Sequence, residues 1–220
     1  MDQSLQLYNK MKKVVVVVWS RLPKVPEEEG KVEEEEGLLT YYGAGVVIND
    51  RGYILTCAHL VPEGLEGLEV TVRRSDDNVF EKAYVLHRSK EENLAILRTM
   101  RASQYEFCQF GDTRSIQMGM PVFALIHADK VEFSFVAGDV ICPERLTEQI
   151  PPNLFFNFSD PEGKSFIQIN NLHCSSCSHG APVFDSTGKV LGLIAVTAAF
   201  DFAIRLPPLK KLVRWCKENL

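Results

Sequence analysis

The chain has 220 residues, a formal net charge of −5, 45% hydrophobic residues and 24% charged residues. These are ordinary globular values, so a sizeable core is expected and pervasive disorder is not. No basic stripe runs through the chain, which argues against nucleic acid as a partner, and six cysteines are too few for a disulfide scaffold. Several of those cysteines stand in apolar runs, where a free thiol acts as a small hydrophobe. This reads as a reducing compartment. Residues 1–13 show no signal or transit pattern, so the expected location is cytoplasmic or nuclear.

Leu5, Leu7, Tyr8 and Met11 share one face of a short helix in an N-terminal extension, 1–12. The valine run 14–18 is too short to cross a membrane, and its β-branched residues predict a buried strand over 13–20. Glutamates at 27–29 and 33–36, set among Pro23, Pro26, Gly30 and Gly37, repel one another and predict a solvated loop. Short strands are then expected at 40–48, 53–57, 68–73, 82–87 and 94–98. More follow at 121–126, 133–141, 165–169, 182–185, 190–196 and 202–204. Asn157, Phe158 and Ser159 have the form of a glycosylation sequon, a triplet common by chance. Leu209, Leu212, Val213 and Cys216 mark the inner face of a closing helix, 207–219. Many short strands between regular turns predict a sandwich or a barrel.

Gly43-Ala44-Gly45, then Gly52-Tyr53-Ile54-Leu55-Thr56-Cys57-Ala58-His59, resembles the catalytic-histidine region of the HtrA/Deg serine proteases. Asn93-Leu94-Ala95-Ile96-Leu97 resembles the family's strand bearing the triad acid, and Gly119-Met120-Pro121-Val122 its entry to the second barrel. Phe166-Ile167-Gln168 and Gly180-Ala181-Pro182-Val183 resemble the flanks of its nucleophile loop, and Phe202-Ala203-Ile204 its closing strand. The resemblance covers about 13–215 and implies an all-β, trypsin-like double β-barrel: two six-stranded antiparallel barrels with a C-terminal helix. It implies one protease-fold domain, 13–220, with barrel one at about 13–105, barrel two at about 106–206 and the helix at about 207–219. Family members often carry a PDZ domain after the barrels, and none is read here. The resemblance also implies homo-oligomers, trimers built through N-terminal segments.

A serine protease needs a hydroxyl, a base, an acid that orients the base, and N–H donors for the oxyanion. The resemblance puts His59 at the base position and Asn93 at the acid position. A neutral amide cannot stabilise an imidazolium as a carboxylate does, and neither Glu91 nor Glu92 is an obvious substitute. The nucleophile and oxyanion loop includes Cys177, Ser178, His179 and Gly180. Counting back from Pro182 puts His179 at the nucleophile position; counting forward from Gln168 puts Ser178 there. One residue is inserted, and the glycine two places before the nucleophile is replaced by Cys177 or Ser176. Three options follow: His179 with no acyl-enzyme chemistry, a weakened Ser178–His59–Asn93 trio, or a Cys177 thiol with His59.

His173, Cys174, Cys177 and His179 are also zinc-ligand types. Ligands packed so tightly would strain one loop, and zinc sites usually combine two separated pairs. No metal and no cofactor are expected. The reading that results is a degenerate protease homologue that binds a peptide or protein partner without cutting it, along an edge strand near 193–197. The alternatives are a weakly active endopeptidase using Ser178 and His59, and a structural subunit of a larger complex. No membrane partner is expected.

Overall fold

Val15, Val16, Val17 and Val18 are all buried, because strand β1 (Val15–Arg21) has protein against both faces. Val16 and Val18 point into one apolar cluster with Ile54, Val72 and Leu97, whereas Val15 joins another with Leu55, Phe166 and Leu193. A strand covered on both sides reads as a continuous apolar run, not as an alternation. The computed structural model describes residues 2–22, 40–100, 105–128, 131–155, 162–205, 211, 212 and 214. The acidic stretch at 27–36 and the sequon at 157–159 lie outside the described residues, as does most of the helix expected over 207–219. Of that helix, Leu212 is described and is buried in the core.

The first barrel is a closed ring of β1, β2 (Thr40–Val47), β3 (Tyr53–Cys57), β6 (Leu94–Thr99), β5 (Glu81–Ser89) and β4 (Glu69–Arg74), in that order. All its pairings are antiparallel, and β4 closes the ring onto β1. The second ring runs β11 (Pro182–Phe184), β8 (Pro121–Ala128), β9 (Val131–Leu146), β10 (Ser165–Asn170), β13 (Asp201–Arg205) and β12 (Lys189–Thr197). It closes where β12 pairs with β11, and short β7 (Gln109–Phe110) adds to β12 in parallel. The chain is therefore a double six-stranded barrel, as the resemblance implied.

Period-two alternation builds three cores from these strands. Ile54, Ala95 and Leu97 fill barrel one. Ile167, Ile169, Leu191 and Ala203 fill barrel two. Their neighbours Leu55, Cys57, Leu94, Ile96, Phe166, Phe202 and Ile204 face the other way and join the two barrels. Each fully buried large side chain there contributes about 1.5–3 kcal/mol, so the inter-barrel seam is a core in its own right. Helix α1 (Gln3–Met11) closes one end of that seam with Leu7 and Met11, capped by Asp2, whose Oδ1 accepts the Ser4 N–H at 3.0 Å. Leu5, expected on the same face, is instead 49% exposed, because the contact is narrower than the apolar stripe.

Candidate functional site

His59 sits in a single 3-10 turn, Ala58–Leu60, directly after β3. The β3–β6 register pairs Cys57 with Leu94, so Asn93 arrives beside the turn, and its carbonyl accepts the Ala58 N–H at 3.1 Å. Asn93 is fully buried with φ of 50°, a left-handed conformation that Asn tolerates better than most residues. From barrel two comes a second 3-10 turn, Ser176–Ser178, with His179 as its C-cap. Two glycines let the barrels meet here. A Cβ on Gly43 would stand 2.7 Å from the His179 carbonyl oxygen. A Cβ on Gly180, with φ of +83°, would stand 2.1 Å from the Ala44 carbonyl oxygen. The Ala44 N–H donates to that His179 carbonyl at 2.8 Å, so β2 pins the loop that carries His179.

One hydrogen-bonded chain results. Asn93 Oδ1 accepts the His59 backbone N–H at 3.1 Å and lies 3.0 Å from His59 Nδ1. A backbone N–H only donates, so the atom facing it is the amide oxygen, and His59 Nδ1 must carry its proton to the same oxygen. In the neutral ring Nε2 then holds a lone pair, and it faces His179 Nδ1 at 2.9 Å. His179 Nδ1–H is therefore the donor, leaving His179 Nε2 to accept from the Thr197 hydroxyl at 3.4 Å. Both rings are neutral: burial lowers the His59 pKa, partly offset by the Asn93 hydrogen bond. Burial, reinforced by the neighbouring His59, pushes His179 down to about 3. The Asn93 Nδ2 amide has no hydrogen-bond partner among the described residues.

The two residues between which the sequence left the nucleophile position open lie in different surroundings. His179 meets the Nε2 of His59; Ser178, one residue earlier, is fully buried. The Ser178 hydroxyl lies by the Cys174 thiol and makes no hydrogen bond to His59. Cys177 lines the cleft beside Tyr42, and no hydrogen bond joins it to His59 among the described residues. The loop also takes up its N–H groups internally. Ser178 N–H donates to the Ser175 carbonyl at 2.9 Å and His179 N–H to the Ser176 carbonyl at 3.2 Å. Positive φ among described non-glycine residues is confined to Asn93, Phe133, Asn171 and His173, so Cys177 winds into the turn with an ordinary φ. A bulky residue in place of the family's glycine accounts for that winding.

The zinc-type residues part company. Cys177 and His179 face the cleft, whereas Cys174 packs against the core of barrel two with its backbone N–H on the Asp201 carboxylate. Burial raises that carboxyl to about 6, against the lowering effect of Cys174 and His173. Among the described residues no three His, Cys, Asp or Glu side chains converge as a metal site. The edge strand expected near 193–197 is buried, not exposed: Leu193, Ile194 and Ala195 are fully buried, Val196 is 4% exposed and Thr197 alone is partly open. Leu193 pairs with Pro182, and Ile194 exchanges hydrogen bonds with Gly180 and Ala181. Beyond Ile194 no strand pairs on that side among the described residues.

The site opens into a cleft of ≈ 710 Å³ whose walls include Tyr41, Tyr42, Arg88 and Lys90 besides His59 and His179. Sequence reasoning missed these wall residues, and it named Thr197 only within the peptide edge, not as a partner of His179. Only the barrel registers bring them to the site, and nothing in their local sequence marks them.

A profile of the trypsin-like peptidase domain matches residues 43–193. The chain is 25% identical over 173 residues to a probable periplasmic serine endoprotease, DegP-like, of Halomonas elongata, covering 79% of this chain and 32% of that one. Its counterpart in Pseudomonas fulva is 26% identical over 87% of this chain and 39% of its own. The protease Do-like 5, chloroplastic, of Arabidopsis thaliana is 23% identical over 89% of this chain and 61% of its own. The chain thus spans about a third of the length of these bacterial relatives. The bacterial relatives are named periplasmic, which overturns the cytoplasmic or nuclear location expected from the sequence. That expectation leaned on the lack of a signal or transit pattern in residues 1–13 and on cysteine usage. Cys57 and Cys108 are buried free thiols that pack as hydrophobes, and such packing carries no information about compartment. The profile match, the double barrel and the His59–Asn93 pairing agree: this chain belongs to the trypsin-like peptidase domain family, in its HtrA/Deg branch.

Proposed function

We propose that the chain is a catalytically degenerate protease homologue that holds a peptide segment or protein partner in its cleft without cutting it. The observation that carries this reading is the 2.9 Å contact between His59 Nε2 and His179 Nδ1. A general base works only if its lone pair faces the proton of the nucleophile. Here that lone pair is taken by an imidazole N–H, and no hydroxyl is hydrogen-bonded to His59 among the described residues. The neutral Asn93 and the internally bonded His179 N–H point the same way, since each removes charge stabilisation the reaction needs. The open cleft is what a bound segment would use.

The test is labelling of the purified protein with a fluorophosphonate probe, beside His59→Ala and Ser178→Ala controls. No labelling of a protein that melts cooperatively is the expected result. Labelling that disappears in both variants would establish an activated serine and end this proposal.

A further inference from the structure

Arg88 is the least expected residue of the cleft wall. Its side chain is only 8% exposed, and its Nε–H is buried with no hydrogen-bond partner among the described residues. Its terminal nitrogen stands 4.0 Å from Glu63 Oε2, beyond hydrogen-bond distance. Lys90 Nζ reaches the same oxygen at 3.4 Å, and the Glu63 and Lys90 side chains are each 62% exposed. Two cations thus share one largely solvated carboxylate, and a positive charge is left over. Glu63 itself stands outside the wall, and no acidic side chain lines the cleft among the described residues. The imidazoles add no charge, because His59 and His179 are both neutral and bonded to each other. In a chain of net charge −5 the described lining of this cleft is thus basic.

A buried guanidinium with unused donors is costly unless something supplies acceptors. The geometry that suits it is a planar carboxylate, which takes two parallel N–H donors. We infer that the cleft selects an extended peptide segment bearing an acidic side chain, and that Arg88 binds that carboxylate while Lys90 steers it in. The inference rests on the peptide-binding reading above and names the chemistry of the occupant. Tyr41 and Tyr42, on the same wall, offer aromatic surface to the residues flanking the acid.

Fluorescence anisotropy tests it with labelled seven-residue peptides, Val-Thr-Val-Xaa-Val-Thr-Val, carrying blocked termini and Glu, Gln or Lys at Xaa. The Glu peptide is expected to bind about tenfold tighter than Gln, the step one charged hydrogen-bonded pair makes, with Lys weaker still. Raising the salt should narrow the gap through the exposed Lys90. Arg88→Gln should erase the Glu preference and Lys90→Gln should reduce it, the latter chosen because an exposed lysine is removable without touching the fold. The wild-type peptide series stands even if Arg88→Gln melts early. Equal affinity for the three peptides would overturn the acidic selection while leaving peptide binding intact. No binding by any of them would instead sink the peptide-binding reading itself. A Gln peptide with a free C-terminus that matches the Glu peptide would overturn the side-chain assignment in favour of a terminal carboxylate.

Discussion

Replacing His179 by serine puts a hydroxyl at the place of the ring's Cγ, one bond short of the Nδ1 that now stands 2.9 Å from His59 Nε2, so it faces the same lone pair from farther away. Two deficits remain in His179→Ser. Asn93 still offers His59 Nδ1 an amide oxygen at 3.0 Å, not a carboxylate. Loss of that charge lowers turnover about 10⁴-fold in trypsin-type enzymes, or about 5 kcal/mol of transition-state stabilisation. The backbone N–H of residue 179 still donates to the Ser176 carbonyl at 3.2 Å, inside the turn. One missing oxyanion donor costs about 10²–10³-fold, or about 3–4 kcal/mol. The single variant should therefore stay at background. Adding Asn93→Asp should raise ester hydrolysis about 10⁴-fold over it, because an aspartate tolerates φ of 50° as well as asparagine does and inherits both His59 donors. Adding Cys177→Gly, which lets the turn unwind, should bring about a further 10²-fold. The assay is the initial burst from a p-nitrophenyl ester, read together with fluorophosphonate labelling. His179→Ser alone matching the double variant, or a folded triple variant that stays inert, would refute this account of the site.

Two further outcomes follow from the same geometry. Gly180→Ala sets a Cβ 2.1 Å from the Ala44 carbonyl oxygen at φ of +83°. Left-handed strain and overpacking together cost about 3 kcal/mol, so thermal melting should drop by roughly 10 °C; an unchanged melting point would show that the seam between β2 and the loop is not rigid. The pH response of stability carries a second signature. Burial holds His127 down to about 4 and His179 down to about 3, against an unfolded value of 6.5. Below pH 6.5 the unfolded chain takes up protons that the folded one refuses, so stability is lost as pH falls from 6.5 toward those values. Asp201, raised to about 6 from 3.8, acts in the opposite sense, its contribution present below 3.8 and lost as pH rises through 6. Urea unfolding of the wild type and His179→Ser cancels the Asp201 and His127 contributions. The variant should lose about 1 kcal/mol less per pH unit between pH 6 and 4, and parallel pH curves would contradict a buried neutral His179.

Local sequence carried the strands because their information is local. Tyr53–Cys57 and Leu94–Leu97, like the run at 14–18, are near-continuous apolar runs, which state that both faces of the strand are covered. The Gly43-Ala44-Gly45 and Gly52-to-His59 motifs carried the family, since they encode a close barrel contact and a strand that ends on a histidine. What no local pattern contains is the through-space relation of 59, 93 and 179. Two registers of the nucleophile loop fit the sequence equally, because an inserted residue leaves the flanking motifs intact on either side. The tertiary structure gives Ser178 and His179 different surroundings through one backbone bond, Ala44 N–H to the His179 carbonyl, and through Gly180, whose positive φ aims residue 179 at His59. The turn that takes up the His179 N–H, the burial of Ser178 and the placement of Arg88 on the cleft wall have the same origin. Sequence determines which residues are available and which strands they ride on. Packing two barrels against each other decides which of those residues meet, because distances across a seam depend on every register that builds it.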